Sequence, residues 1–167
     1  SFDKDVDATF GRVDKILTGG SDCAKFFGSH ALDALAAMRA AKREFRSGGA
    51  DQNTGIAQTY GQVASAVDSQ GVAQVQYRWP SKLTFYLGGS FFIGKGSISG
   101  FPAGTTEAQT LALLHELAHN IPGGKGGYKI LDDGPTTGLS EEVQQRRSRD
   151  SSDMIKGLCK DQISKAR

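Results

Sequence analysis

Apolar residues recur every three or four positions at the start of the chain, which is the spacing of one face of an α-helix. The members of this stripe are Phe2, Val6, Phe10, Val13 and Leu17. Gly19 and Gly20 follow, and glycine pairs end helices because glycine has a low helix propensity. The pattern predicts a first helix that ends before Gly19.

Two further helices are predicted before residue 70. Ser21 or Asp22 opens one that runs to about Arg46, because apolar residues keep the helical period across this segment. His30 lies on that stripe, which favours half-buried packing over metal binding. After a polar, glycine-rich loop, the apolar residues of segment 56–67 predict a shorter third helix.

The middle of the chain alternates between apolar and polar residues, which is the period of a β-strand. Residues 73–79 alternate and are followed by Pro80, and residues 83–87 alternate again. Segment 90–93 follows two glycines and predicts a third strand or an edge. We therefore expect a small antiparallel or mixed sheet over residues 72–93, with Pro80 separating the first two strands.

Residues 105–121 predict one amphipathic helix, and Thr106 and Gln109 fit a capping box at its start. Its apolar residues lie on one side and are Leu111, Leu114, Leu117, Ala118 and Ile121. The helix should bury that side in a core and present His115 and His119 on another.

His115, Glu116 and His119 form an H-E-x-x-H pentapeptide on this helix. Two histidines four residues apart stand one above the other, so both imidazoles can reach one metal ion. The glutamate lies about 60–100° around the helix, where it can touch a metal-bound water. The alternative is a solvated helix with two idle histidines, but the motif favours Zn²⁺.

The C-terminal region predicts helices over residues 140–166. Ser140 is a typical N-cap residue, and Glu141 and Glu142 are acids in a first helical turn. At 167 residues the chain is long enough for one core and short for two domains. We expect a single α+β domain over residues 1–167, in which the sheet packs on the pentapeptide helix and other helices surround both.

The pentapeptide and its flanks, Thr105 to Asn120, resemble the active-site helix of the zincin metallopeptidases. A looser similarity to small secreted bacterial zincin domains of an aspzincin-like kind rests on the run Leu113–His119, an acidic-glycine step downstream and a late helical cysteine. The resemblance implies a zincin-like fold and zinc-dependent hydrolysis of peptide bonds. It also implies His115 and His119 as zinc ligands and Glu116 as the general base.

Two branches of the superfamily have patterns that this chain does not follow. Pro122 and Lys125 occupy the glycine and third-histidine positions of the metzincin pattern. The gluzincin pattern has a glutamate on a following helix and an aspartate four residues later. Glu141 and Glu142 are followed at that spacing by Gln145 and Arg146 instead.

A catalytic zinc takes three protein ligands and leaves one position for water. In aspzincins an aspartate about a dozen residues past the second histidine completes the site. Asp133 is our first choice for that ligand and Asp132 the second, since both follow His119 at that spacing. A neutral Asp-Asp-Gly turn is the alternative reading of these residues, and Glu141, Glu142 and His30 remain alternative ligands.

Tyr128 follows the glycine-rich turn after the helix and is the local candidate for a hydroxyl that stabilises an oxyanion. A packing role is the alternative. The predicted function is a zinc metallopeptidase with Glu116 as general base and a peptide or protein substrate. The alternative is a non-catalytic secreted zinc-binding module with a structural or partner-binding role.

Cys23 and Cys159 lie far apart, each near an apolar stripe, and can form one disulfide that ties the chain ends together. That bond would indicate a secreted or periplasmic protein, whereas two buried free thiols would indicate the cytosol. The net charge of +2 gives no electrostatic footprint for nucleic acid. No apolar run approaches the roughly 20 residues of a membrane span.

Overall fold

A computed structural model of the chain describes residues 1–49, 53–67, 73–93, 95–123 and 127–166. Its helices are α1 Phe2–Thr18, α2 Asp22–Phe27, α3 Ala31–Ala40, α4 Thr106–Ala118 and α5 Glu141–Lys165. Its strands are β1 Lys42–Arg46, β2 Ile56–Val67, β3 Ala73–Tyr86, β4 Ser97–Ile98 and β5 Phe101–Pro102. A short 3-10 helix spans Pro135–Thr137. Residues 68–70 and 72 and Lys125, which belong to predicted segments, lie outside the described residues.

The fold is mixed α+β, as predicted. The larger sheet has the order β1-β3-β2, in which β1 runs parallel to β3 and β2 runs antiparallel to it. The short strands β4 and β5 form a separate two-stranded sheet. The first helix ends at Gly19, as expected, and the Ser140 side chain caps α5 by accepting a hydrogen bond from Val143 N.

The single helix predicted from Ser21 to Arg46 is wrong. Gly28 has a φ of +81°, which a helix cannot continue, and the chain forms the two helices α2 and α3 instead. After Ala40 the backbone becomes extended as β1. Phe45 pairs with Phe85 of β3 and their rings stack at 5.6 Å, so a non-local partner overrides the helical period.

The third helix predicted over residues 56–67 is also wrong, because this segment is β2. It pairs along its whole length with β3, from Ile56 opposite Phe85 to Val67 opposite Ala73. Strand preference depends on the neighbouring strand more than on the segment itself. The stretch contains β-branched and aromatic residues that suit a strand, and β3 supplies the hydrogen-bonding partner.

Pro80 does not separate two strands, since β3 continues through it. β1 pairs only with residues 82–86 of β3, so at Pro80 the strand has β2 on one side alone. The register also shifts beside Tyr60, the partner of Pro80. A proline without an N–H is tolerated where one side of the strand needs no ladder bond. Residues 90–93 form turns rather than the predicted third strand, and β1 supplies the third strand instead.

Helix α4 lies at the centre of the core and contacts α1, α3, α5 and β2. Every residue from Ala108 to Ala118 is buried, so the side that carries His115 is buried as well as the apolar side. The helix begins at the N-cap Thr105, whose hydroxyl accepts from Ala108 N, one residue earlier than the capping box predicted. Gln109 instead donates to Phe91 O and accepts from Arg12.

The predicted disulfide is confirmed. Cys23 in α2 is bonded to Cys159 in α5 across 136 residues of sequence, and both residues are fully buried. Closing a loop of this length stabilises the fold by about 5 kcal/mol in the chain-entropy model. The bond fixes α5 against the N-terminal helices, and α5 in turn carries one wall of the site described next.

Candidate metal centre

The two histidines of the pentapeptide face the same point, one helical turn apart at the C-terminal end of α4. Their Nε2 atoms are 3.2 Å apart, and the residues are only 1% and 4% exposed. One ligand atom each from His115, Glu116 and His119 lies within 4.8 Å of the others. These three buried residues could therefore hold a metal ion.

Asp133 completes a triangle with the two imidazoles. Its Oδ2 lies 2.9 Å from His115 Nε2 and 3.1 Å from His119 Nε2. Burial raises the pKa of Asp133, but the hydrogen bonds from both histidines more than offset this and hold that pKa well below its usual range. A carboxylate and two imidazole nitrogens are groups of the types that bind metal ions.

A hydrogen bond to a serine of α5 fixes the orientation of the His115 ring. Its Nδ1 is 2.9 Å from Ser152 Oγ, and that hydroxyl donates to Asn53 Oδ1 at 2.8 Å. Because the hydroxyl hydrogen is used on Asn53, Ser152 accepts a hydrogen from His115 Nδ1. Nδ1 therefore keeps its proton, and Nε2 is the nitrogen that would exchange its hydrogen for a metal ion. His119 Nδ1 is buried and has no hydrogen-bond partner within the described part of the chain.

The carboxylate of Glu116 lies beside the triangle. It accepts hydrogen bonds from one residue of β2 and from one residue of the segment before β2. Thr54 Oγ1 donates to Oε2 at 3.2 Å, and Gln58 Nε2 reaches Oε1 at 3.3 Å and the Glu116 carbonyl at 2.9 Å. Glu116 Oε2 is 3.9 Å from His115 Nε2. Burial raises the pKa of Glu116 despite the neighbouring histidines, so its proton affinity is increased.

A chain of amide groups fixes the direction of these bonds. A backbone carbonyl can only accept, so Gln58 must turn its Nε2 toward Glu116, and its Oε1 accepts from Asn120 Nδ2 at 2.7 Å. Asn120 Oδ1 then accepts from the Tyr60 hydroxyl at 3.0 Å. Burial raises the pKa of Tyr60, which keeps this hydroxyl protonated as a donor.

Asp132, the second choice for the third ligand, points away from the triangle. Arg78 forms two hydrogen bonds with its carboxylate, at 2.7 and 3.1 Å. Tyr128 packs its ring 3.9 Å from the same guanidinium, and among the described residues no contact joins its hydroxyl to His115, His119 or Asp133. The alternative ligands lie elsewhere: Glu141 and Glu142 are exposed in the first turn of α5, and His30 precedes α3.

Sequence reasoning did not find Thr54, Gln58, Asn53, Ser152 or Arg78 as residues of the site. Most of them lie in segments with a wrongly predicted element or in loops. A signal existed only for Ser152, because the buried face of α5 keeps helical spacing through it. That face consists of Ser148, Ser152, Ile155, Cys159 and Ile163. A fully buried serine on a mostly apolar stripe needs a polar partner, and Ser152 is the fully buried one.

Comparisons with protein-family models, with curated proteins and with solved structures found no match to this chain. Among the described residues, no helix combines the length and the apolar character needed to cross a bilayer.

Proposed function

We propose that this protein is a zinc-dependent metallopeptidase with a zincin-like arrangement in one domain. The observation that carries this proposal is the triangle formed by His115 Nε2, His119 Nε2 and Asp133 Oδ2, with edges of 2.9, 3.1 and 3.2 Å. Ligand atoms around a tetrahedral zinc with bonds of about 2.0–2.1 Å are separated by about 3.3–3.4 Å. The triangle fits that ion with little movement.

The donor set supports a catalytic site rather than a structural one. Two imidazoles and one carboxylate are three protein ligands, and a catalytic zinc site keeps its fourth position for water or substrate. When bound, zinc lowers the pKa of its water and polarises a substrate carbonyl. Structural zinc sites are instead closed by four protein ligands, mostly cysteines and histidines.

Glu116 is the residue that moves the proton. Its carboxylate is the only acidic group of the pentapeptide, and Thr54 and Gln58 hold it beside the triangle without placing it in the ligand positions. It accepts a proton from the attacking water and passes it to the leaving amine. Its raised proton affinity suits a group that must first take and then return a proton.

The disulfide between Cys23 and Cys159 supports a location where disulfides persist. We infer that the protein acts outside the cytosol, in the periplasm or after secretion. Its substrate is then a peptide or protein of that compartment.

One observation favours a second function, a non-catalytic zinc-binding module. His115, Glu116 and His119 are at most 6% exposed, and both carboxylate oxygens of Glu116 already accept hydrogen bonds from protein side chains. A zinc site that binds no substrate does not need to be accessible from solvent. In that case Glu116 anchors β2 to α4, and zinc stabilises the fold or a surface that binds a partner.

Hydrolysis of a quenched fluorescent peptide library tests the proposal. The zinc-loaded protein should cleave members of the library, a chelator should abolish cleavage, and added zinc should restore it. Elemental analysis of the same preparation gives the zinc content. A preparation with one zinc per chain that cleaves no peptide would contradict the peptidase and support the non-catalytic module.

A further inference from the structure

Arg78 connects the two segments that carry the three ligand atoms. It lies on β3, and its side chain is 12% exposed. Its Nη2 donates to the carbonyl of His119 at 2.6 Å and to Asp132 Oδ1 at 2.7 Å, and its Nη1 donates to Asp132 Oδ2 at 3.1 Å. One guanidinium therefore holds both the end of α4 and the residue that precedes Asp133.

Two aromatic rings fix the plane of this guanidinium. The Tyr128 ring centre lies 3.9 Å from its central carbon and the Tyr60 ring centre lies 4.6 Å from it. Arginine stacks on aromatic faces and forms bidentate bonds to carboxylates, and a lysine cannot reproduce both contacts. The charge also lies at the C-terminal end of α4, where it complements the unpaired carbonyl groups of the helix.

The segment that carries Asp133 has few other attachments. It is irregular between Leu131 and Gly134, and Leu131 is 65% exposed. The Asp132 side chain binds Arg78, and the Asp132 backbone carbonyl accepts one hydrogen bond from Arg147 at 2.9 Å. Asp132 and Asp133 are adjacent, and their side chains bind different groups, so the direction of one sets the direction of the other.

We propose that Arg78, acting through Asp132, is a positioning residue that places the Asp133 carboxylate against His115 and His119. This inference rests on the proposed metal site and deepens it. Without the bidentate bond between Arg78 and Asp132, the Asp133 side chain is not held in place before the ion binds. Metal binding must then also order Asp133. The cost of that ordering appears as weaker metal binding, even if the fold is intact.

The test compares zinc affinity among Arg78→Lys, Asp132→Asn and Arg43→Lys, by competition with a chelator of known affinity. Arg43 is the matched control because it is also a paired, stacked arginine. Its side chain is 16% exposed, it lies 2.9 Å from Asp7, and it lies over the Phe10 ring at 5.5 Å. Arg43→Lys should therefore change stability to a similar extent but leave zinc affinity within about two-fold of the wild-type value.

We expect Arg78→Lys and Asp132→Asn to weaken zinc binding by about 10–100-fold, the usual effect of losing a group that orients a ligand. The double variant should be no weaker than the more severe single variant, because both changes break the same bond. Visible absorption of the Co²⁺-loaded variants should differ from that of the wild type, since the third ligand is less firmly placed, whereas the Arg43→Lys spectrum should not.

Wild-type zinc affinity and Co²⁺ spectra in both Arg78→Lys and Asp132→Asn would overturn the inference. Asp132 is half exposed, with a side-chain exposure of 53%, so Asp132→Asn carries the test if Arg78→Lys does not fold. Asp133→Ala separates the two proposals. If that variant binds zinc as tightly as the wild type, Asp133 is not a ligand and the proposed three-ligand site is wrong. If Asp133→Ala binds zinc weakly while Arg78→Lys and Asp132→Asn bind it normally, only the role of Arg78 is rejected.

Discussion

Asp133 Oδ2 lies 2.9 Å from His115 Nε2, although the two residues are 18 positions apart in the chain. This contact is what turns a helical pentapeptide into a three-sided donor set. It depends on the chain reversing after α4 and returning along the histidine face of the helix.

Removing the Asp133 carboxylate should remove most of the zinc. Asp133→Ala leaves two imidazoles, and we expect its zinc affinity to fall by more than about 100-fold, beyond the usual effect of an orienting residue. His115→Ala and His119→Ala should behave in the same way. Elemental analysis after gel filtration measures the bound zinc, and the exposed Asp150→Ala on α5 is the control. Full zinc content in Asp133→Ala would place the third ligand elsewhere.

Glu116→Gln should separate proton transfer from metal binding. The amide keeps the size of the side chain but cannot accept the proton, so turnover should fall by about 10²–10⁴-fold while zinc is retained. The measurement pairs kcat on a cleaved peptide with zinc content. Glu141→Gln, on the exposed first turn of α5, should match the wild type in both. Unchanged turnover in Glu116→Gln would remove the glutamate from the mechanism.

Ser152→Ala should weaken zinc binding without contacting the ion. The hydroxyl accepts from His115 Nδ1 and so keeps a proton there, which leaves Nε2 as the nitrogen that would bind the ion. Its loss should cost about 10–100-fold in zinc affinity. Ser148→Ala is the matched control, because Ser148 is buried one turn earlier on the same face of α5. Equal affinities of the two variants would show that Ser152 only fills space.

Zinc should stabilise the folded protein through the same donor set. An ion that binds only the native state adds about 2.7 kcal/mol when its concentration is a hundred times the Kd. Thermal unfolding followed by circular dichroism should show a higher Tm with zinc for the wild type and a much smaller change for Asp133→Ala. An identical increase in both proteins would mean that zinc binds outside this site.

The disulfide should be quantitative and stabilising. Unfolded, unreduced protein should show no free thiol on titration, because both cysteines are paired. Replacing Cys23 and Cys159 by serine should lower the free energy of unfolding by about 2–5 kcal/mol in denaturant titrations. Two reactive thiols in the purified wild type would contradict the bond and the extracytosolic location inferred from it.

Local rules determined much of the helical framework. The apolar stripe and Gly19 define α1, Ser140 starts α5, and the pentapeptide puts two histidines on one helical face, since each of these features depends on neighbours within a turn or two. The same rules failed over residues 42–46 and 56–67. There the segments gain their hydrogen bonds from β3, and no local pattern identifies that partner.

The site residues also fall into two groups, those placed by local helical geometry and those placed by tertiary contacts. His115, Glu116 and His119 could be read from the sequence because helical geometry alone brings them together. The sequence could only rank Asp133 above Asp132 as the candidate third ligand, since both lie at nearly the same distance from His119. Tertiary structure separates them: Arg78 on β3 takes the Asp132 carboxylate and leaves Asp133 to the histidines. Such a choice depends on groups from distant strands and helices, whose contacts exist only once the core has packed.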